Sequence, residues 1–498
     1  VKLLFAILFS IMVVASIATV LTRPDAQTAV PTIYWMTDPN PARVLQIELF
    51  HKWLVKEGHT TPDGKPCVEL RLDTTTDPNK KIIQGVSGVA GDIIDCHVNT
   101  MVEIGLLHDV TDDAKRLGFD MSHTYAALDT ELTVDGRQYG FPCNVNVMGF
   151  WVNVDTFAKV GMKPPPRSWD FDTFERIGNE FCNKANAGKP RRTVFFANSA
   201  TSWTGERWVC VMHRSLGLSV FNETTTACTL DDPRYAEVLA RLYKWTYVDN
   251  ILPNASDEAS VSSEAGYGGS VLSLFQHGHY GMITIGRWCL IRIREFKNPP
   301  KLSVSHLPYD KFPNALIGTR PAGVYRGGRH KDLAVLFLAF LASDDYNLGI
   351  VADADALPPS PALTKTQEYL RPAGHENEWG CHEVPVEAGK TIAQGFVYSP
   401  FVPMATTNRI ALRAREKVMA DMATPAEAAR ETAERINEEI ARTVAESATL
   451  QAKYDTLVAL QRKIEAKRKA GEKIPASWMR NSFLRRYYAS KGWLEENE

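Results

Sequence analysis

Asp95, His97, Asn99 and Thr100 crowd into six positions, just where "DIID" (92–95) ends and an apolar stretch with helical spacing begins. Such side chains hydrogen-bond in several directions, and in an open α/β sheet the carboxyl end of a strand is where ligands bind. Asn144 and Asn146 make a second polar pair. Spaced by two in an extended chain, their amides project from the same side, and an amide buried there must find a partner. Tryptophan adds a flat apolar face with an N–H at its edge; Trp35, Trp203 and Trp288 each stand beside a turn or polar loop. These groups recognise polar molecules. The sequence carries no HExxH, GxSxG, GxxxxGK[ST] or metal-spaced His/Cys group. Its "DD" and "EE" pairs fall at helix starts or on charged helices, where dipole and solvation account for them. No cofactor is called for.

The chain that must position these residues has 498 residues, 44% hydrophobic and 23% charged, with formal net charge −2. That length calls for two to four domains or lobes, and the near-neutral balance argues against a nucleic-acid partner. After Lys2 comes "LLFAILFSIMVVASIATVL", uncharged as far as Leu21. It is longer than the usual signal-peptide core of about 7–15 residues and close to the roughly 20 that span a bilayer. A cleaved signal and a retained anchor both fit, and both mean export. The eight cysteines show no CxxC spacing and sit mostly in apolar runs. Most therefore read as buried free thiols, with any disulfide unassigned.

Strand and helix signals alternate. "TIYWMTDPNP" reads as a strand entering a turn, "ARVLQIELFHKWLVKEG" as a helix stopped by Gly58, and "CVELRLDT" as a strand. This predicts βαβ units and a mainly parallel sheet. Pro142 interrupts the long extended run 136–157; proline is poorly tolerated in a central strand, so the run reads as chain crossing between lobes. "TPAE" places Thr424, Pro425 and Glu427 as cap, first helical residue and reciprocal cap. From there one unbroken helix of about 70 Å is predicted as far as Gly471, with a weak apolar seam through Ile436, Ile440, Leu457 and Ile464.

Taken in order, these segments resemble a family, the carbohydrate-binding extracellular solute-binding proteins of ABC importers, which includes maltose-binding protein. The resemblance rests on "TIYWMTD", "GDIIDCHVNTMVEIGLLHDVT", "VDGRQYGFPCNVNVMGFWVNVDTFAKVGMKPPPRSWDFDTF", "FQHGHYGMITIGRW", "KDLAVLFLAFLASDDYNLGIVADADALPPSPAL" and "TPAEAARETAERINEEI", and covers roughly residues 31–442. It implies an α/β, type II periplasmic-binding-protein clamshell whose lobes are each discontinuous in sequence. Expected boundaries are a signal or anchor and linker (1–30), the N-lobe (31–142 and 317–358), the C-lobe (143–316 and 359–442) and a helical C-terminal extension (443–498). Three crossings are expected near Phe141–Val147, Ala315–Val324 and Ala356–Leu363.

By the same resemblance, the ligand-binding residues are Trp35, Asp38, His97, Asn99, Asn144, Asn146, Trp203, Trp288 and Tyr398. Several have a plainer reading: a core Trp35 with a turn-forming Asp38, a satisfied loop His97, an Asx-turn at Asn99, or Trp203 packed on the following helix. Arg287 and Arg320 either engage an acidic sugar or pair with nearby carboxylates. The resemblance implies capture of a mono- or oligosaccharide at the outer face of the inner membrane and delivery to permease and ATPase subunits. A ligand sensor or scaffold of the same fold is the alternative, and an exported carbohydrate-active enzyme a more distant one. Trp478, Phe483, Arg485, Arg486, Tyr487, Tyr488 and Trp493 mix basic and aromatic groups in the tail. They read as a helical appendage on the body or as a surface for permease or membrane contact.

Overall fold

A computed structural model describes residues 30–199, 205–261 and 269–495; the apolar N-terminal stretch and Trp203 lie outside the described residues. The strands begin with β1 (Thr32–Met36), β2 (Glu69–Asp73) and β3 (Ile93–Asp95), followed by a hairpin of β4 (Thr133–Val134) and β5 (Arg137–Gln138). Next come β6 (Gly140–Val147), β7 (Gly149–Asn153), β8 (Phe195–Ala197) and β9 (Tyr280–Ile285). The series ends with β10 (Leu302–Ser305), β11 (Ala315–Val324) and β12 (Ala393–Gln394).

Besides the β4–β5 hairpin, the described residues form two larger sheets, one per lobe. In the first, β1 pairs in parallel with β2 and β3, while β11 runs antiparallel to β3 and β6 and parallel to β12. The second has the order β10-β7-β9-β8. Parallel neighbours require crossover connections, and the helices Ala42–Lys56 and Pro78–Val86 provide them. The first buries Phe50, Trp53 and Leu54 against Trp35 and Phe337 and stops before Gly58, whose φ of 78° suits glycine. In the second lobe Phe150, Phe174, Trp208 and Trp245 form the centre of the core, with Trp208 and Trp245 stacked at 5.7 Å. Burying each such side chain contributes roughly 1.5–3 kcal/mol.

Pro142 corrects the sequence reading. It sits inside β6, opposite Pro321 of β11, where the register shifts. Neither proline has an N–H to leave unpaired, so facing each other across an irregularity they interrupt the ladder at one place only. The chain then reaches the second sheet through Met148, returns to the first between β10 and β11, and passes a third time between the helices Asp344–Asp353 and Met404–Met419. Val145, Val147, Ile317, Leu357, Tyr369 and Val386 pack together where these passages meet.

The third passage starts under strain. Ala354 and Ala356 have φ of 60° and 67°, a left-handed conformation that costs an L-residue about 1–2 kcal/mol. Reciprocal backbone bonds between Val145 and Leu357 (2.9 and 2.8 Å) hold it in place.

The helix expected to run unbroken to Gly471 is two, Pro425–Ala445 and Ala448–Ala470. The Thr424–Glu427 capping box is present. Ser447, however, is extended and its side chain accepts from the Leu450 N–H, so it starts a new helix instead of continuing the old one. The tail aromatics follow the first of their two readings, an appendage packed on the body. Phe483 and Tyr488 are buried and Tyr487 partly so, packed on Phe312 from the second lobe, while Arg485 and Trp493 stay exposed. Among the described residues, no single helix is long and apolar enough to cross a membrane. All eight cysteines are free, and Cys143, Cys182, Cys210, Cys228, Cys289 and Cys381 are buried.

Replacing Ala354 or Ala356 with glycine should raise stability in urea melts by up to about 1 kcal/mol, because relief of left-handed strain exceeds the added chain entropy. A lower midpoint in both variants would contradict this geometry.

Candidate ligand-binding site between the lobes

The ends of β1 and β3 lead into a buried ionic network. Asp95 accepts the Trp35 indole N–H at 2.7 Å and the Thr37 hydroxyl, and the Lys81 ammonium donates to the Asp95 carbonyl at 2.6 Å. Arg43 reaches Asp38 at 2.8 Å and Asp355 at 2.7 Å, while Asn144 donates to Asp355 at 3.1 Å. Arg320 pairs with Asp38 at 2.5 Å and Asp95 at 3.0 Å, although its N–H groups point away from ideal hydrogen-bond directions. Burial alone would raise the Asp38 carboxyl, but Arg320 and Arg43 outweigh it and hold the group far below the usual carboxylate range.

This network corrects two expectations. Trp35 is 0% exposed, its ring lies 4.9 Å from Phe337 and its N–H is taken, so it offers a ligand nothing. Asp38 is committed to two guanidiniums. Arg320 belongs to the same ion cluster, and Arg287 is structural as well. It donates to the Ala356 carbonyl at 2.6 Å and to His382 at 3.2 Å, fixing the start of the third passage.

Asn146 and Trp288 come together. Asn146 lies on β6 beside Gly318 of β11, and Trp288 follows β9 in the second lobe. Between them is Gly286, where a Cβ would stand 2.5 Å from the Asn146 Oδ1 and 3.1–3.2 Å from the indole edge. A side chain at position 286 would have to displace the Asn146 amide. The Asn146 Oδ1 is buried without a hydrogen-bond partner, whereas Trp288 is partly exposed. Asn144, two residues back, donates to Asp355 and keeps an unpartnered Oδ1.

A second group assembles around Tyr398. Its hydroxyl donates to Glu131 at 2.8 Å, and Glu131 also accepts the Phe396 N–H at 3.0 Å. Arg207, on the second-lobe helix Gly205–Ser215, acts electrostatically on both Glu131 and His97. Burial, with Arg207 and Lys81 nearby, keeps the His97 imidazole below its ordinary pKa and hence neutral. A narrow pocket beside Tyr398 is lined by Arg214, Ser219, Ser399 and Asn408 and does not extend to Asn146 or Trp288. Asn99 turns away, donating to the Thr130 carbonyl at 2.8 Å, a structural bond.

Glu131 and Arg207 escaped the sequence reading. "GERW" gave a local hint, next to the polar loop of Trp203, but Glu131 lies in "DTEL" with nothing nearby to single it out. The assembled groups are an indole, amides, a phenol, a neutral imidazole and a carboxyl. Together they suit directional hydrogen bonding to a polar ligand. Among the described residues no cluster of three or more His, Cys, Asp and Glu could hold a metal.

Burial pushes the Glu131 carboxyl up to about 7, against the smaller opposing effect of Tyr398. A carboxyl raised on folding favours the folded state while protonated, so stability should fall as pH rises from about 4.5 through about 7. Glu131→Gln should therefore be more stable than the parent at pH 8 by an amount on the order of 1–3 kcal/mol, read as a higher melting temperature, and match it near pH 4. Parallel pH profiles for the two proteins would refute the shift.

Comparison with known proteins agrees with this architecture. The family model described as bacterial extracellular solute-binding protein matches residues 80–376. Binding proteins from Brucella abortus and Brucella suis are 24% identical over 249 residues, which is 48% of this chain and 55% of theirs. The chain thus spans about half the length of the curated relatives it matches. An ABC substrate-binding protein of Listeria monocytogenes, solved in complex with cycloalternan, superposes with a TM-score of 0.68 at 19% identity, covering 83% of this chain and 100% of that one. Maltose-bound MalE3 of T. maritima gives 0.66 at 17% identity, covering 82% and 99%. With more than half its length matched by the family model and both lobes matched in fold, the chain belongs to the bacterial extracellular solute-binding proteins.

Proposed function

We propose that this protein captures a mono- or oligosaccharide non-covalently between its lobes and hands it, chemically unchanged, to a membrane permease driven by an ATPase. The observation that carries this reading is the meeting of Trp288 with Asn146 across Gly286. An indole face suits the C–H surface of a sugar ring, and a buried amide oxygen without a protein partner suits a hydroxyl. The fold neighbours support the substrate class: besides the cycloalternan and maltose complexes, a solute-binding protein of Thermotoga lettingae was solved with alpha-D-tagatose, at a TM-score of 0.65 and 15% identity. The family places such proteins in the periplasm or outside the cell. His97, Tyr398 and Glu131 form the outer part of the site in this reading. Closure is driven by whatever contacts the ligand makes in the closed state and not in the open one.

Thermal unfolding against a panel of sugars tests the proposal. A true ligand at about a hundred times its dissociation constant adds about 2.7 kcal/mol of stability. Trp288→Ala should lose that gain while melting normally without sugar. A variant that keeps the full response would remove Trp288 from the site, and no response to any sugar would count against the substrate class.

A further inference from the structure

The C-terminal extension has a buried root and an exposed reach. Its root is Glu223, a second-lobe residue that is 3% exposed. The Glu223 carboxylate accepts from Gln461 at 2.8 Å, Arg468 at 2.7 Å and Tyr488 at 2.6 Å, all in the extension. Its carbonyl accepts the Arg480 and Asn481 N–H groups at 2.9 Å. Hydrogen bonds to a buried charge are among the stronger ones, so the extension moves with the second lobe.

Its reach goes the other way. Lys453 contacts Glu103 at 3.3 Å and Asp135 at 3.8 Å, and Arg480 contacts Asp135 at 3.5 Å. Both acids belong to the first lobe. Glu103 ends the helix that begins just after His97. Asp135 is the apex of the β4–β5 hairpin, where Asp135 and Gly136 both have positive φ, 48° and 78°, as a tight two-residue turn requires. One rigid appendage of the second lobe thus holds two surface features of the first.

We propose that the extension is an ionic strap that biases the two lobes toward closure. The inference depends on the two-lobed fold and not on the identity of the ligand. Exposed pairs of this kind are individually weak and screened by salt, which makes the bias adjustable: a buried root keeps the strap in place while its grip varies with the medium. The same contacts brace the helix that follows His97, so the strap acts on the wall of the proposed site.

The test uses the full chain without ligand. Spin labels on exposed Lys52 of the first lobe and Lys184 of the second, introduced as unnatural residues to spare the cysteines, report the interlobe distance distribution. In the parent the short-distance population should fall several-fold when salt is raised from low levels to about 0.5 M. Asp135→Asn with Lys453→Gln should show the smaller population at every salt concentration, and asparagine keeps the positive-φ turn intact. A swap that keeps the turn, Glu103→Lys and Lys453→Glu together with Asp135→Asn, should restore it. Identical distributions in parent and neutralised variant, with faster hydrogen exchange confined to the extension, would overturn the strap and leave an appendage with incidental surface pairs.

Discussion

Asp355 cannot be buried without Arg43, and Arg43 cannot be buried without Asp355 and Asp38. An isolated charge in that position would cost several kcal/mol, so each residue dictates where the others stand. Arg43 opens the helix after β1, Asp355 sits between two left-handed alanines, and Asn144 on β6 donates to the same carboxylate. The network therefore fixes the start of the third passage against the strands of the first lobe. Arg287 clamps the far side of that turn through the Ala356 carbonyl. A well-packed apolar substitute is often as stable as a buried ion cluster. What the charges supply here is position: they set the floor on which Asn146 and Trp288 meet.

The walls of the proposed site come from different bodies. His97 and Glu131 belong to the first lobe, Arg207 and Trp288 to the second, and Tyr398 to the third passage. Glu131 feels Arg207 only because the lobes are together. The polar environment of the proposed site thus depends on how the lobes stand to each other, and a change in that arrangement alters what each wall presents to the other.

The alternation of strands and helices, the Thr424 cap and the nearness of Asn146 to the lobe boundary were legible because each is written in a short stretch. Ser447 was locally legible too, as a capping residue, but the helical composition on both sides concealed the break. Trp35 was not. Its neighbour Phe337 lies some three hundred positions downstream, and no local pattern distinguishes an indole that meets a ligand from one that meets a distant phenylalanine. Glu131 fails for the same reason, since its partners Tyr398 and Phe396 arrive through the third passage. Pro142 misled through a sound local rule, because the exception depends on Pro321 standing opposite.

The placement of β11 bears on how the chain acquires its shape. This strand lies between β3 and β12 and also pairs with β6, yet it begins at Ala315. The first sheet cannot be completed until the whole second sheet has left the ribosome; at about 5–20 residues per second, that is a wait on the order of tens of seconds after β3 emerges. During that interval β3 and β6 have unpaired edges, and such edges are templates for wrong pairing. A nascent chain of this topology gains from staying unfolded until synthesis is finished, the condition in which a polypeptide can still be threaded through a membrane.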